Sequence, residues 1–343
     1  MSPKTAIVIL NWNGRAFLEE FLPSVTSFSK GARIIVADNA STDDSIAFLK
    51  EYYPDVELVI NESNGGFAKG YNDALKSVDS EYFLLLNSDI EVTDGWLEPL
   101  EKALENVEIA GCQPKILAQK RKTHFEHAGA SGGFIDKNYY PFCRGRILSD
   151  VEQDEGQYNE QTDIFWATGA CFLVRSEVYH EMGGFDEDFF AHMEEIDLCW
   201  RIKRMGHRIV VVPESTVYHV GGGTLSYQSP RKTFLNFRNN LFMILKNHEG
   251  FLPTRIFGRL CLDGMAACLF LLKLQFGNFW AVFKSHMAFY VKLRTMLRKR
   301  KALKRQIGDR KMNRSGMYKG SILWGSFLGG KKKFSDLDSQ RFQ

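Results

Sequence analysis

The sequence predicts an α/β fold, a mostly parallel sheet covered by helices, with a helical extension at its C-terminal side. Three observations predict it. Short β-branched runs alternate with amphipathic helical patterns through the first third of the chain. The runs are apolar at every position, as in strands buried on both faces. Beyond Arg231 the strand pattern gives way to long helical stretches. Strands alternating with helices fold into a parallel sheet with helices on each side.

The elements follow in order. Ala6–Leu10 (AIVIL) reads as a buried strand, Phe17–Ser27 as a helix and Arg33–Ala37 (RIIVA) as a second strand. Ser41 with Asp44 three residues on offers an N-cap and a first-turn carboxylate for a helix through Tyr52. Val56–Ile60, a helix near Phe67–Ser77 and Tyr82–Leu86 (YFLLL) continue the alternation. From Ala110 to His219 the pattern is looser and β-rich, with strands at Phe165–Val174 and Arg208–Val212 and a helix through Ile196–Met205. Phe234–Lys246, Arg255–Phe276 and Ala281–Lys304 read as helices. The expected division is an α/β domain over 1–225, a helical extension over 226–311 and a basic tail over 312–343.

Composition narrows the class. With 44% hydrophobic and 25% charged residues, the chain has the balance of a globular protein, which excludes wholesale disorder. The net charge of +3 hides an asymmetry: residues 284–333 carry 16 Lys+Arg against one acid, Asp309, leaving 28 basic and 40 acidic residues elsewhere. A mildly acidic body with a basic C-terminal region points to an anionic surface as its partner. The six cysteines form no CxxC pair, and the apolar run Ala6–Leu10 is too short for a secretory signal. Reduced thiols in the cytoplasm are the simplest expectation.

In a parallel α/β sheet, ligands bind beyond the carboxyl ends of the strands. Strand one ends in Asn11-Trp-Asn-Gly14, strand two in Asp38-Asn39 and the fourth in Asn87-Ser88-Asp89, so one sheet edge becomes a polar cleft. Each ending alone also suits an ordinary turn. The loop Asn64-Gly-Gly-Phe-Ala-Lys-Gly70 precedes a helix, where glycines admit a close ligand and the helix N-terminus favours phosphate. It also serves as a tight strand-to-helix connection. Around Met182–Phe190 and Met193–Asp197 lies the densest acidic and aromatic cluster. On a helix Glu194 and Asp197 share a face and Glu195 is rotated by roughly 100°, although acids in a first turn also simply complement the helix dipole. His219 opens a glycine run after an apolar strand, and His124 with His127 is a rival metal pair.

Taken in order, these segments resemble the family-2 inverting glycosyltransferases of the GT-A fold, a Rossmann-like architecture, and especially the rhamnosyltransferase-like branch of bacterial surface-polysaccharide pathways. The matching pieces are IVILNWNG (7–14), VADNASTDD (36–44), NGGFAKGYN (64–72), LLLNSD (84–89), TGACFLVR (168–175), GGFDE (183–187), EEIDLCWR (194–201) and YHVGGGT (218–224). NNLFMILKN (239–247) is similar to the helix that follows the catalytic segments in that family. The resemblance implies transfer of a sugar from a nucleotide-sugar donor to a glycan or lipid-linked acceptor. It places Asp38 at the nucleotide base, with Asn11 and Asn39 lining the pocket, Asn64, Gly65 and Ser88 beside the donor, and Lys69 within reach of phosphate. It implies a divalent cation, Mg²⁺ or Mn²⁺, at Asp89, with His219 as a further ligand. The base would come from Glu195, with Glu194 and Asp197 as rivals. Trp166, Gly184, Phe185 and Asp186 fall on the acceptor side. The sequence departs from the family pattern at Asn87, where an Asp is usual, and at Glu195, one methylene longer than the usual Asp. Those departures keep open a catalytically silent donor-binding subunit, and a nucleotidyltransferase is the other enzyme reading.

Gly264–Phe283 is mostly apolar and twenty residues long, but Lys273 near its centre opposes insertion at a cost of about 2.5–3.5 kcal/mol. The reading is a helix lying in the membrane interface, flanked by the basic run Lys292–Arg305, on a protein peripheral to the cytoplasmic face of the plasma membrane. Its alternative is an ordinary helix pair packed on the catalytic domain. Nucleic acid is not the expected partner, since no nucleic-acid-binding motif accompanies the basic run.

Overall fold

The computed structural model describes residues 3–221 and 229–343. Thr5–Asn11 (β1), Arg33–Asp38 (β2), Glu57–Ile60 (β3) and Tyr82–Asn87 (β4) run parallel, connected through Arg15–Phe28 (α1), Ser45–Tyr52 (α2) and Gly66–Leu75 (α3). Then come Ile90–Val92 (β5), Leu97–Ala103 (α4), Ile109–Ala118 (β6), Arg121–Phe125 (β7), Gly133–Asp136 (β8), Pro141–Cys143 (β9), Arg146–Ile147 (β10), Asp150–Val151 (β11) and Thr162–Asp163 (β12). Cys171–Arg175 (β13), Ser176–Glu181 (α5), Glu194–Arg204 (α6) and Arg208–His219 (β14) complete the α/β body. Pro230–Asn247 (α7), Leu252–Leu272 (α8), Phe276–Ile307 (α9), Met317–Tyr318 (β15) and Ile322–Phe327 (α10) follow. Among the described residues the main sheet runs β12-β14-β6-β13-β4-β1-β2-β3, with β5 on β14 and β7 on β6, and a second sheet runs β11-β10-β9-β8-β15.

The apolar runs form strands because both faces are covered. Successive side chains of β1 point to opposite faces, so Ala6 and Val8 join one core with Tyr71 and Ala74 of α3. Ile7 and Ile9 join the other with Leu18 and Leu22 of α1. The hydroxyl of Tyr71 donates to the Leu86 carbonyl at 3.0 Å, tying α3 to β4.

Four expectations are corrected. Helix α2 begins at Ser45 rather than at a Ser41 cap, because Ser41 turns inward to accept from Asn13 N at 2.8 Å while Asp43 accepts from Ser45 N at 3.1 Å. The strand expected from Phe165 starts only at Cys171, since the amides of Phe165 and Trp166 both donate to the Gly133 carbonyl. Strand β14 runs on past Val212 to His219, through an irregularity between Val212 and Thr216, where Pro213 lacks an amide hydrogen. The apolar stretch Gly264–Phe283 is not one helix: it breaks at Lys273–Gln275, where Leu274 takes a left-handed φ of 57°. Leu274 N donates to Leu271 O and Gln275 N to Phe270 O, the bond pattern of a Schellman stop.

Residues 312–343 return to the body. β15 pairs with β8, and Phe334 and Phe342 pack on Phe134 with ring centroids 4.9 and 5.5 Å apart. All six cysteines are free thiols.

Candidate active site

The parallel register brings the polar strand ends together, with Asn11 opposite Asp38 and Leu10 opposite Asn87. Asn11 Nδ2 donates to Asp38 at 3.0 Å and to Ser41 Oγ at 3.2 Å, and the other Asp38 oxygen accepts from Ser41 N at 2.8 Å. The opposite end of the Asn11 amide, Oδ1, is buried and without a partner. Asn39 Nδ2 donates to Asn64 Oδ1 at 3.0 Å, and Asn39 Oδ1 accepts from Asn61 Nδ2 at 3.2 Å. The cleft floor is therefore a prebuilt hydrogen-bonded network with one orphan acceptor. Asn64 is exposed and Gly65 half-buried, and Ser88 is half-buried near Gly14, where an added Cβ would lie 3.5 Å from its Oγ.

Asp89 leaves β4 on a turn, and its Oδ1 lies 3.2 Å from His219 Nε2 at the end of β14. The other imidazole nitrogen, Nδ1, lies 3.5 Å from Glu126 Oε2, and Glu126 is itself held by Ala128 N at 2.5 Å. Burial would lower the His219 pKa, but Asp89 and Glu126 hold it up at about 10. Among the described residues, no group of three or more His, Cys, Asp or Glu is placed to hold a metal. His124 lies on β7 beside Thr123, and burial holds His127 down at about 4. Gly222, Gly223 and Thr224 of the glycine run lie outside the described residues.

The acid segment faces the donor loop. Gly66 has φ 82°, and a Cβ there would come within 2.6 Å of the Phe190 ring and carbonyl, so only glycine lets the two loops meet. A Cβ on Gly169 would lie 2.9 Å from Phe67 and 3.8 Å from the Glu195 Cβ, which brings the acid within one residue's width of the donor loop. Between them Phe190, His192 and Met193 all have positive φ, at 66°, 69° and 71°. Three such non-glycine residues in a row of four are a strained loop that its surroundings must hold. Asn239 of α7 does so, with Nδ2 donating to the carbonyls of Phe189, Ala191 and His192 at 2.9, 2.9 and 2.7 Å. Arg238 adds bonds to Asp188 O and Phe189 O.

The three acids differ sharply. Glu195 is half-buried, its Oε2 has no partner, and burial pushes its carboxyl up to about 7 against the pull of nearby backbone amides. Glu194 is fully enclosed, and burial, then the Glu195 and Asp197 charges, raise it well above the usual carboxylate range. Asp197 is saturated: Arg201 at 2.9 Å, Lys246 at 2.8 Å and Asn247 at 2.8 Å occupy its oxygens inside the core.

Several expected site residues serve the scaffold instead. Trp166 is buried and donates Nε1 to Phe134 O at 2.8 Å, and Phe185 packs among Phe67, Tyr71 and Tyr179. Gly184 O accepts from Arg201. Asp186 pairs with Lys246 at 2.5 Å and with Lys299, which hold its carboxyl well below the usual range despite burial. At this point of the loop large apolar side chains and a doubly paired carboxylate fold inward. Lys69 pairs with Asp73 at 2.5 Å, one helical turn away. Sequence reasoning did not single out Glu126, Ser41 or Asn239 for these roles. The signal for Asn239 was present: an Asn pair inside an otherwise apolar helix has to find partners.

The family model described as glycosyl transferase family 2 matches residues 6–183, more than half of the chain. The chain belongs to that family. The match takes in the strand ends carrying Asn11, Asp38 and Asp89 and stops short of Glu195 and His219. The glycosyltransferase is 24% identical over 235 residues to N-acetylglucosaminyl-diphospho-decaprenol L-rhamnosyltransferase of Mycobacterium tuberculosis, covering 64% of this chain and 76% of that one. It is 23% identical over 224 residues to rhamnosyltransferase WbbL of Escherichia coli, covering 62% and 82%. In fold it is similar to the mannosyltransferase PcManGT of Pyrobaculum calidifontis, solved with GDP-Man and Mn²⁺, at TM-score 0.53 and 14% identity over 91% of this chain and 89% of that one. It is also similar to GalNAc-T7, solved with UDP, GalNAc and Mn²⁺, at TM-score 0.56 and 17% identity, covering 71% of this chain and about half (48%) of that longer one. The fold is GT-A, and the protein is a glycosyltransferase.

Proposed function

We propose that this glycosyltransferase moves a sugar, L-rhamnose being the first candidate, from a nucleoside-diphosphate sugar to a hydroxyl of a lipid-linked glycan, by a single displacement with inversion. The observation that carries the reading is the half-buried Glu195 carboxyl, with Oε2 unpartnered and its pKa raised to about 7, standing across Gly169 and Phe67 from the donor loop. The rhamnosyl and lipid-diphosphate words in the relatives' names supply the sugar and acceptor class.

Each residue has a task. The orphan Oδ1 of Asn11 suits the ring N–H of a uracil, thymine or guanine base, and Asp38 fixes that amide's orientation. Asn39 and Asn64 brace the glycine loop against the diphosphate. Glu195 takes the proton of the acceptor hydroxyl as it attacks the anomeric carbon from the face opposite the departing diphosphate; a base titrating near neutrality is well matched to that transfer. Glu194, held neutral, keeps a second negative charge out of the same pocket.

The donor set fits a divalent cation. Asp89 and His219 offer a hard oxygen and an imidazole nitrogen side by side, and Glu126 faces the second ring nitrogen, the usual support for a metal-bound histidine. Two protein ligands suffice where substrate phosphates supply the rest, as is common for Mg²⁺. When bound, the cation neutralises the charge developing on the leaving diphosphate. A lipid-linked acceptor also supports a position peripheral to the cytoplasmic face of the membrane.

The test is a donor screen with purified protein, Mn²⁺ or Mg²⁺ and a panel of UDP-, dTDP- and GDP-sugars. Release of nucleoside diphosphate from one donor, lost with EDTA and in Asp89→Ala, is the expected result. Absence of both release and metal-dependent nucleotide binding across the panel would overturn the reading.

A further inference from the structure

The α8–α9 hairpin carries a surface that the catalytic body leaves uncovered. At its turn Leu272 and Leu274 are 79% and 74% exposed, and Phe276, Trp280 and Phe283 stand open beside them. Leu274 holds the left-handed position of the helix stop, where glycine is the favoured residue and a branched apolar side chain costs about 1–2 kcal/mol. A sequence that keeps a leucine there, mostly in water, breaks a local rule with no gain inside the fold, as expected of a functional position.

Down α9 the exposed stripe continues at helical spacing through Met287 and Val291 and then turns basic at Arg294, Arg298, Lys301 and Arg305. Among the described residues none of these four cations forms an ion pair, and the sequence has no Asp or Glu from 264 to 308. The lysines on the inner side behave differently: Lys292 and Lys299 pair with Asp188 and Asp186 of the acid loop. Helix α9 is therefore divided: Lys292 and Lys299 pair with the acid loop and buried Arg300 donates to the Leu245 carbonyl, while Arg294, Arg298, Lys301 and Arg305 are left outward.

We propose that this stripe docks on an anionic lipid bilayer, with the apolar turn buried at the headgroup–acyl boundary and the basic half lying on the headgroups. The proposal deepens the lipid-linked acceptor reading and rests on it for its purpose. The apolar end followed by basic residues along one face is the pattern of an interfacial helix. Among the described residues no helix is long and apolar enough to cross a membrane. A second copy of the chain is a poorer occupant, because two uniformly positive stripes repel each other. Since α9 grips Asp186 and Asp188, docking also fixes the height of the Glu195 loop above the lipid surface.

Cys268 provides a probe: it is exposed on α8, Cys261 is the other exposed thiol, and the remaining four are buried. The full chain carrying Cys261→Ser, labelled at Cys268 with an environment-sensitive fluorophore, is mixed with vesicles of neutral lipid or with about one-third anionic lipid. Co-sedimentation with the anionic vesicles, weakened by salt, and a blue shift of the label are expected. Leu274→Glu with Trp280→Glu should abolish the shift. Arg294→Glu with Arg298→Glu and Lys301→Glu should weaken binding on the order of a hundredfold, at roughly 1 kcal/mol per basic residue. All five side chains are exposed, so an unchanged melting temperature shows that the variants fold. Equal behaviour on both vesicle types, binding indifferent to these substitutions, or self-association through the labelled face without lipid would each overturn the proposal. Nucleoside diphosphate release in lipid-free buffer is measured on the same samples: its loss in the parent chain counts against the transfer reading, and its retention without vesicle binding counts against the docking face alone.

Discussion

The side-chain amide of Asn239 meets the backbone carbonyl of His192 at 2.7 Å, and through it α7 holds the loop that presents Glu195. The same amide reaches the Phe189 and Ala191 carbonyls, so one residue restrains a segment with three left-handed side-chain-bearing residues. Positions of that kind cost on the order of 1–3 kcal/mol each unless their surroundings enforce them. Asn239→Ala should let the loop relax, lowering kcat roughly a hundredfold, the scale expected of a misplacement near 1 Å. Nucleotide Kd should change less than about twofold, because Asn11, Asp38 and Asn64 lie on other elements. Steady-state kinetics beside nucleotide calorimetry separates the two; a parallel loss of kcat and donor affinity would show that the loop serves donor binding instead.

Glu195→Gln tests the base directly. Burial holds the carboxyl of the free enzyme up at about 7, so kcat/KM should fall about tenfold per pH unit below 7 and level off above it. The amide cannot accept the proton, and turnover should drop by roughly 10²–10⁴ while donor binding survives. Near-normal turnover with the acid limb of the profile intact would remove Glu195 from the role.

The sheet was legible because its signals are local. AIVIL, RIIVA and YFLLL become strands wherever both faces can be covered, and the strand ends at Asn11, Asp38 and Asn87 follow from parallel register alone. The division of labour in the acid cluster was not legible. Helical spacing sets Glu195 apart but leaves Glu194 and Asp197 on one face, and only the arrival of Lys246 and Asn247 from α7, some fifty residues later, makes Asp197 a core ion-pair residue. The resemblance places Trp166 and Phe185 on the acceptor side, and Gly133 and Tyr71 provide them with core positions. Within the apolar run Gly264–Phe283 the sequence pattern puts the helix break at 277–280, and it falls earlier, at Lys273–Gln275, because the stop residue is a leucine rather than a glycine.

Glu194 makes a prediction about stability. Its folded-state pKa is raised, so below the unfolded value, about 4.3, both states carry the proton and no penalty exists. As pH rises past that value, the unfolded chain releases the proton while the fold retains it, and stability declines up to the folded pKa, by as much as about 1.4 kcal/mol per pH unit. Glu194→Gln removes this dependence. Urea melts at pH 5 and pH 8 should show the variant gaining on the parent at pH 8 and matching it more closely at pH 5. A gain that is the same at both pH values would assign the effect to packing rather than to the proton.

The remaining prediction concerns Glu126, 3.5 Å from the His219 nitrogen that faces away from Asp89. A carboxylate in that place fixes which imidazole nitrogen carries the proton and strengthens the other as a ligand, and removing such support typically lowers metal affinity 10–100-fold. Mn²⁺ titration followed by electron paramagnetic resonance, in the presence of nucleoside diphosphate, reads affinity without relying on turnover. Asp89→Ala should lose the bound signal outright. Glu126→Gln should weaken it by the smaller factor, because the amide still accepts a hydrogen bond but brings no charge, and Glu126→Ala should fall further. If Glu126→Ala binds Mn²⁺ as the parent does while Asp89→Ala does not, then His219 is oriented by its strand alone, and the Glu126 contact serves only to seat the segment after β7.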